Sequence, residues 1–479
     1  MNFSKEIDDR AFRLVGEVAD RMGREVYVVG GFVRDLMLGR PCNDLDFVTV
    51  GSGIELAKGV AERLGMHKRL TVYANYGTAQ ICTHGLELEF VGARRESYHR
   101  ESRNPIVEDG TLDDDQRRRD FTINAMAISL NDGSYGELVD PFDGVSDLKA
   151  KLIRTPLDPD TTFSDDPLRM LRAIRFATQL QFRIDDATFE SICRNAGRLE
   201  IITKERINDE LGKIIRSPRP SVGFQLLDKA GLLKMIIPEL CELKGVETMD
   251  GRGHKDNFLH TLQVLDNVAA VSDDEWLRWA ALLHDIAKPQ VKRYDPKLGW
   301  TFHNHNFIGE KMVPRIFRRM KMPLNEKMKF VAKLVGMHMR PQSVAEAGVS
   351  DSGVRRLITE AGDDLGALMT LCEADITSKN PAKVRRQLDG FAALRKRMEE
   401  INAADDYRNW KNPVNGNELM EYFGLPGCKL LAELKDAVKE AILDGRVDNN
   451  HDAAWKYVLQ IAEERHEDLE RARRGEWPE

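Results

Sequence analysis

Six cysteines, at positions 42, 82, 193, 241, 372 and 428, are scattered along 479 residues without one C-x-x-C pair. Neither a zinc knuckle nor a disulfide framework is expected, and reduced thiols fit best. No leading apolar stretch resembles a signal peptide and no apolar run reaches bilayer length, which points to a cytoplasmic protein with no membrane partner. Excess positive charge is missing too. With 71 Lys and Arg against 78 Asp and Glu, the net charge of −7 argues against a protein that coats nucleic acid over its whole surface. It leaves room for a local basic surface, and from Lys311 to Arg340 basic residues recur with Glu326 as the sole acid. Internal repeats and low-complexity tracts are absent, and no segment indicates a protein partner. The length supports three or four domains.

What is present begins with YVVGGFVRDLMLGRPCNDLDF, Tyr27 to Phe47. A strand alternates its faces, so Asp44 and Asp46 point the same way and repel unless a cation lies between them. Mg2+ prefers hard oxygen ligands and accompanies substrate phosphates. After the strand-like run Val26 to Val29, Gly30 and Gly31 let backbone approach a phosphate, with Arg34 nearby. Such a set suits phosphoryl or nucleotidyl transfer. In LELEFVGAR, Glu89 offers a third carboxylate from a neighbouring strand, and Glu87 faces the same side.

Asp8 to Met22 reads as an amphipathic helix, and Thr78 to Thr83, Leu86 to Val91 and Ala125 to Ser129 as strands. After Pro159 almost everything to Glu470 is helical in period. The expected class is α+β: a mixed-sheet head over 1–155, a helical nucleotide- and RNA-binding neck and body over 156–245, a domain over 246–400, and a helical tail over 401–479 that cradles RNA or supports packing.

Four motifs in order carry a family resemblance: the first run, RRRDFTINAMAISL (Arg117 to Leu130), DPFDGVSDLKAKLIRT (Asp140 to Thr155) and FSDDPLRMLRAIRFA (Phe163 to Ala177). The helical segment KERINDELGKII (Lys204 to Ile215) follows them. Together they resemble the class II tRNA nucleotidyltransferases and bacterial poly(A) polymerases. The resemblance implies a polymerase β-like head, with Asp44, Asp46 and Glu89 as catalytic acids that hold Mg2+. It implies that Arg119 meets the nucleotide, as its planar fork suits phosphate oxygens. It also implies that Asp166 and Arg169 act as an amino-acid template. The Asp accepts from the exocyclic amine of cytosine or adenine and the Arg donates to a ring acceptor, so a wrong base leaves polar groups unpaired. Arg172 and Arg175, on the same helix face, reach phosphates or stabilise the helix. Asp165 stands where many relatives carry Glu.

The helical body holds His260, then His284-Asp285 in LRWAALLHDIAKP, then Asp375. This order is similar to the signature of HD-domain phosphohydrolases, where imidazoles and carboxylates from separate helices converge on a divalent metal. By placement, His305 and His338 resemble the extra ligands of two-metal sites; His303 is the weaker candidate.

The resemblance implies a tRNA-binding enzyme that uses CTP and ATP to add C, C and A to a 3′ end, with an HD phosphohydrolase activity. Alternatives are a poly(A) polymerase or an enzyme that adds A alone. From another class, the chain would be chiefly an HD phosphohydrolase with a nucleotide-sensing head.

Overall fold

The computed structural model describes residues 1–83, 85–97, 106–346, 348, 350–378, 380–404 and 410–474. The chain forms two compact units: Met1–Lys244 with Arg318–Met322, and Gly245–Phe317 with Pro323–Glu479.

The first unit opens with α1 (Arg10–Arg21), capped by Asp9, whose carboxylate accepts from the Ala11 amide at 2.8 Å. It buries Phe12, Val15 and Val18. Gly16 is required where the helix meets the backbone, because a Cβ there would lie 2.1 Å from the Leu130 carbonyl oxygen. There follow β1 (Val26–Val29), α2 (Gly31–Met37), β2 (Asp44–Thr49), α3 (Gly53–Leu64), β3 (Leu70–Tyr73), β4 (Thr78–Thr83), β5 (Leu86–Gly92), β6 (Arg94–Ser97), β7 (Ile106–Asp109), α4 (Leu112–Arg117), β8 (Ala127–Ser129), β9 (Leu138–Val139), α5 (Gly144–Ala150) and β10 (Leu152–Ile153). Seven strands make one mixed sheet in the order β3-β4-β5-β2-β1-β8-β9, with β2 parallel to β5 and the other pairs antiparallel. Phe47 and Phe90 stack across the β2–β5 pair at 5.1 Å, which anchors the two acidic strands in register.

Helices and one short strand complete the unit: α6 (Pro159–Asp165), α7 (Leu168–Leu180), β11 (Arg183–Ile184), α8 (Asp186–Asn195), α9 (Lys204–Ile215), α10 (Pro220–Lys229), α11 (Leu232–Ile236) and α12 (Pro238–Glu242). The stripe of Leu168, Leu171 and Ile174 on α7 is buried.

The second unit has the strand pair β12 (Thr248–Met249) and β13 (Arg252–Gly253), then α13 (Asn257–Ala269), α14 (Glu275–Leu283) and α15 (Lys288–Val291). A second hairpin joins β14 (Arg293–Asp295) to β15 (Gly299–Thr301). Then come α16 (His305–Met320), α17 (Glu326–Met337), α18 (Arg340–Glu346), α19 (Asp351–Ala361), α20 (Leu365–Ala374), α21 (Pro381–Ala404), α22 (Gly416–Phe423), α23 (Lys429–Leu443), α24 (His451–Glu464) and α25 (His466–Arg473). Leu419, Phe423, Leu430, Leu434, Val438, Val458 and Leu469 give the last four helices a core of their own. No described helix is long and apolar enough to cross a membrane.

Helix dominates after Pro159 as expected, and the exceptions are β11, which pairs with β10, and the two hairpins. In the second, Asp295 accepts from the Lys297 and Leu298 amides at 2.7 and 2.9 Å, and Gly299 turns at φ 82°. That local turn chemistry stops a helix from forming.

Candidate active site and metal centre

In the sheet, Asp46 lies opposite Val29 on one side and Glu89 on the other, while Asp44 pairs with Glu87. All four acids therefore share a face, and the register brings Glu89 beside Asp46. Burial, followed by the neighbouring charge of Asp44, pushes the Asp46 carboxyl up to about 6, against the pull of Arg119. Glu89 is raised by burial and by Asp44. Crowded hard oxygen donors that resist ionisation side by side are what a divalent cation relieves, so this donor set fits Mg2+.

Gly30 caps α2 at φ 71° and ψ −131°, a conformation that a side chain resists. A Cβ there would stand 3.0 Å from Arg119 Nη1 and 3.4 Å from Asp46 Oδ2. The glycine turn, the arginine and the acid thus meet at one point. Arg119 is held there by Asp115, which takes its Nε at 3.1 Å and its Nη2 at 3.0 Å. Asp115 is buried and also paired with Arg118; the two arginines hold its carboxyl below the usual range despite burial.

Other predicted residues make contacts within the protein. Arg34 donates to Asp35 through Nε at 3.0 Å and Nη2 at 2.7 Å, and to Asn124 Oδ1 at 2.8 Å. Arg172 donates to Asp120 Oδ2 at 2.7 Å, and Asp120 also accepts from Asn124 and the Phe121 amide. Despite burial, Arg172 holds Asp120 down at about 2. Arg175 lies 2.8 Å from Glu210 on α9. Of the two roles left open for these arginines, helix bracing is the one with partners on view. Asp166 ends α6 and accepts from the Leu168 amide, the first of α7, at 3.1 Å; Arg169 Nη2 donates to the Arg118 carbonyl at 2.6 Å. Arg169 is thereby tied to the arginine loop. Sequence reasoning missed Asp115, Asp120 and Glu210, whose carboxylates hold these arginines.

In the second unit, two groups of side chains place ligand atoms within 4.8 Å of one another: His260, His284 and Asp285, and Asp285, His305 and His338. Asp285 belongs to both. Its Oδ2 is 3.2 Å from His284 Nε2 and 3.5 Å from His260 Nε2, while its Oδ1 is 3.3 Å from His305 Nε2 and 3.8 Å from His338 Nε2. Asp375 Oδ1 approaches His260 Nε2 at 2.9 Å and His284 Nε2 at 3.6 Å.

The outer nitrogens decide what the inner ones do. Nδ1 of His284, His305 and His338 each sits 2.7 Å from a backbone carbonyl, of Ala281, Phe302 and Val335 respectively. A carbonyl accepts, so each Nδ1 carries the proton and each Nε2 presents a lone pair to the centre. Nε2 of His305 and His338 lie 3.2 Å apart, lone pair facing lone pair. Nε2 of buried His284 makes no hydrogen bond of good geometry. Such a centre needs a cation. Without a metal a proton must serve: against burial, Asp285 and Asp375 push His284 up to about 10, while burial and the His284 charge push His338 down to about 4. The donor set fits a divalent metal. His303 is exposed and stands outside both groups.

Family models match three stretches: "Poly A polymerase head domain" over 26–154, "Probable RNA and SrmB- binding site of polymerase A" over 181–244, and "HD domain" over 257–378. A protein named A-adding tRNA nucleotidyltransferase from Deinococcus radiodurans is 34% identical over 364 residues, 74% of this chain and 80% of that relative. The chain belongs to the tRNA nucleotidyltransferase family. It is thus a nucleotidyltransferase with an HD domain. A like-named protein from Aquifex aeolicus is 43% identical over 213 residues, which span 44% of this nucleotidyltransferase and 25% of the longer relative. A solved structure, a tRNA nucleotidyltransferase complexed with a primer tRNA and an incoming ATP analog, is 28% identical with a TM-score of 0.56. The match covers 80% of this chain and 98% of that one.

Proposed function

We propose that this nucleotidyltransferase adds C, C and A to the 3′ end of tRNA from CTP and ATP, releasing pyrophosphate. The observation that carries the reading is the meeting of Asp46, Glu89, Arg119 and the Gly30 turn on one sheet face. Asp44, Asp46 and Glu89 would hold Mg2+, which activates the attacking 3′-hydroxyl and stabilises the leaving pyrophosphate. The Gly30-Gly31 turn admits the triphosphate close to the backbone, and Arg119, fixed by Asp115, orients it. Asp166 and Arg169 select bases that present an exocyclic amine, a feature common to cytosine and adenine and foreign to uracil. The pair does not itself distinguish C from A, which favours an enzyme that uses both. Addition of A alone is the second reading, favoured by the names of the two curated relatives.

The test is extension, at nucleotide resolution, of a tRNA that lacks its 3′-terminal CCA. Two additions with CTP, then one A and a stop with both nucleotides, is the expected result. Growth confined to ends that already carry CC establishes A addition, and open-ended growth with ATP a poly(A) polymerase.

The HD centre is read as a phosphohydrolase that clears terminal or 2′,3′-cyclic phosphates from damaged RNA ends. His260, His284, Asp285 and Asp375, with His305 and His338, would hold a divalent metal that activates water. Asp285→Ala is expected to abolish phosphate release and spare nucleotide addition; loss of both would give the centre a structural role.

A further inference from the structure

Beside the metal ligands of the second unit, the sequence places three aromatic residues and three lysines that the readings above leave unused. On the β14–β15 hairpin, Tyr294 and Trp300 lie edge to face with centroids 5.3 Å apart. His254 meets Trp300 at 5.4 Å and Phe302 at 5.9 Å, both nearly perpendicular. His254 is fixed in turn: its Nε2 accepts from the Glu247 amide at 3.2 Å and its Nδ1 donates to the Lys255 carbonyl at 2.7 Å. All four rings are half-buried, so each keeps a share of its surface toward solvent.

Cations are threaded through this cluster. Lys292 lies 5.3 Å from the Trp300 centroid and Lys288 lies 5.5 Å from that of Phe302. Lys288 connects the rings to the metal centre, because its Nζ also donates to Asp285 Oδ2 at 2.5 Å. Phe302 does so through its backbone, since its carbonyl holds His305 Nδ1. On the far side, Lys255 reaches Thr377 Oγ1 at 3.4 Å, and Thr377 Oγ1 is 2.9 Å from His260 Nδ1.

A centre that hydrolyses phosphate esters needs cations nearby but no rings. Rings are what a nucleobase needs, and stacking on aromatic side chains tolerates any base. We propose that the aromatic hairpin is a base-binding platform: it stacks the terminal base of a single-stranded RNA end whose phosphate lies toward Lys288 and the metal ligands. The substrate class is then a phosphorylated RNA 3′ terminus rather than a sugar or lipid phosphate. This inference rests on the phosphohydrolase reading for its chemistry, but its own content is base recognition.

The experiment measures binding as well as hydrolysis, with the full chain. A fluorescent hexaribonucleotide ending in a non-hydrolysable 3′-methylphosphonate is titrated by anisotropy, beside the same strand with its last base replaced by hydrogen. The wild type is expected to bind the complete strand about tenfold more tightly, the usual scale for one stacked base. Trp300→Ala should lose that preference while Trp300→Phe keeps most of it, which separates stacking from a folding defect. Equal affinity for the two strands, or a preference that Trp300→Ala retains in full, overturns the platform. Release of phosphate from the matching 3′-phosphate strands is followed in parallel. Base-dependent, Trp300-dependent binding without phosphate release leaves the platform standing and removes the phosphohydrolase reading. Phosphate release indifferent to the base does the reverse.

Discussion

Replacing Arg172 by Gln tests whether this arginine belongs to the scaffold or to the nucleotide. Its guanidinium meets buried Asp120 at 2.7 Å, and the pair holds the Asp120 carboxyl down at about 2, from an ordinary value of 3.8. By linkage that depression is worth about 2 kcal/mol of stability at neutral pH. Breaking a fully buried pair costs about 3–5 kcal/mol, but Arg172 is 34% exposed, so water partly replaces it. We therefore expect a loss of about 3 kcal/mol. For a unit of this size that lowers its melting temperature by roughly 6–12 °C. Asp120→Asn with Arg172→Gln should be less damaging than Arg172→Gln alone, since the double variant leaves no buried charge unpaired. The pH dependence has a definite sign. A depressed carboxyl contributes stability that is present above its unfolded pKa of about 4 and is lost as pH falls through about 2. The gap between wild type and Asp120→Asn should thus be open at pH 7 and close toward pH 2. Thermal melts across pH, with KM for ATP measured on each variant, decide the matter. An Arg172→Gln protein with an unchanged melt and a KM for ATP raised more than tenfold would refute the scaffold assignment and make Arg172 a phosphate ligand.

Asp46→Asn should abolish nucleotide addition yet stabilise the metal-free first unit by about 3 kcal/mol, because a carboxyl raised to about 6 opposes folding once ionised. That penalty grows as pH rises from about 4 to 6 and is full above it; melts with and without Mg2+ should show the wild type alone gaining from the metal. Gly30→Ala should cost about 1 kcal/mol for its positive φ and lower kcat far more than stability, since its Cβ would press on Arg119. For the second unit, chelation should lower the melting temperature and added divalent metal restore it, and Asp285→Ala should erase the response.

Period-two alternation suffices to put Asp44, Asp46, Glu87 and Glu89 on one face, but it cannot rank the two glutamates. Rank comes from register: β2 and β5 run parallel with Asp46 against Glu89, and nothing within either strand encodes that offset. The helical period likewise aligns Arg169, Arg172 and Arg175 without revealing where each points, while Asp166, expected on the same helix, is extended and precedes α7. Arg172 finds its partner 52 residues back at Asp120 and Arg175 finds Glu210, 35 residues on, so their fates depend on tertiary packing. In the second unit the ligand types are legible in chain order, whereas the doubled role of Asp285 depends on four helical segments converging. The aromatic hairpin was hidden for a different reason. Its strands are three residues long, too short for a period, and the surrounding helices dominate any wider window. Its one local signal is the turn Asp295-Pro296-Lys297-Leu298-Gly299, flanked by Tyr294 and Trp300. Such a turn inside an otherwise helical domain costs helix continuity, and its rings pack on one another and on His254, with the Tyr294 hydroxyl donating to Asp250 Oδ2 at 3.0 Å. The proposed base platform would give that half-buried cluster a use in recognition beside the candidate metal ligands.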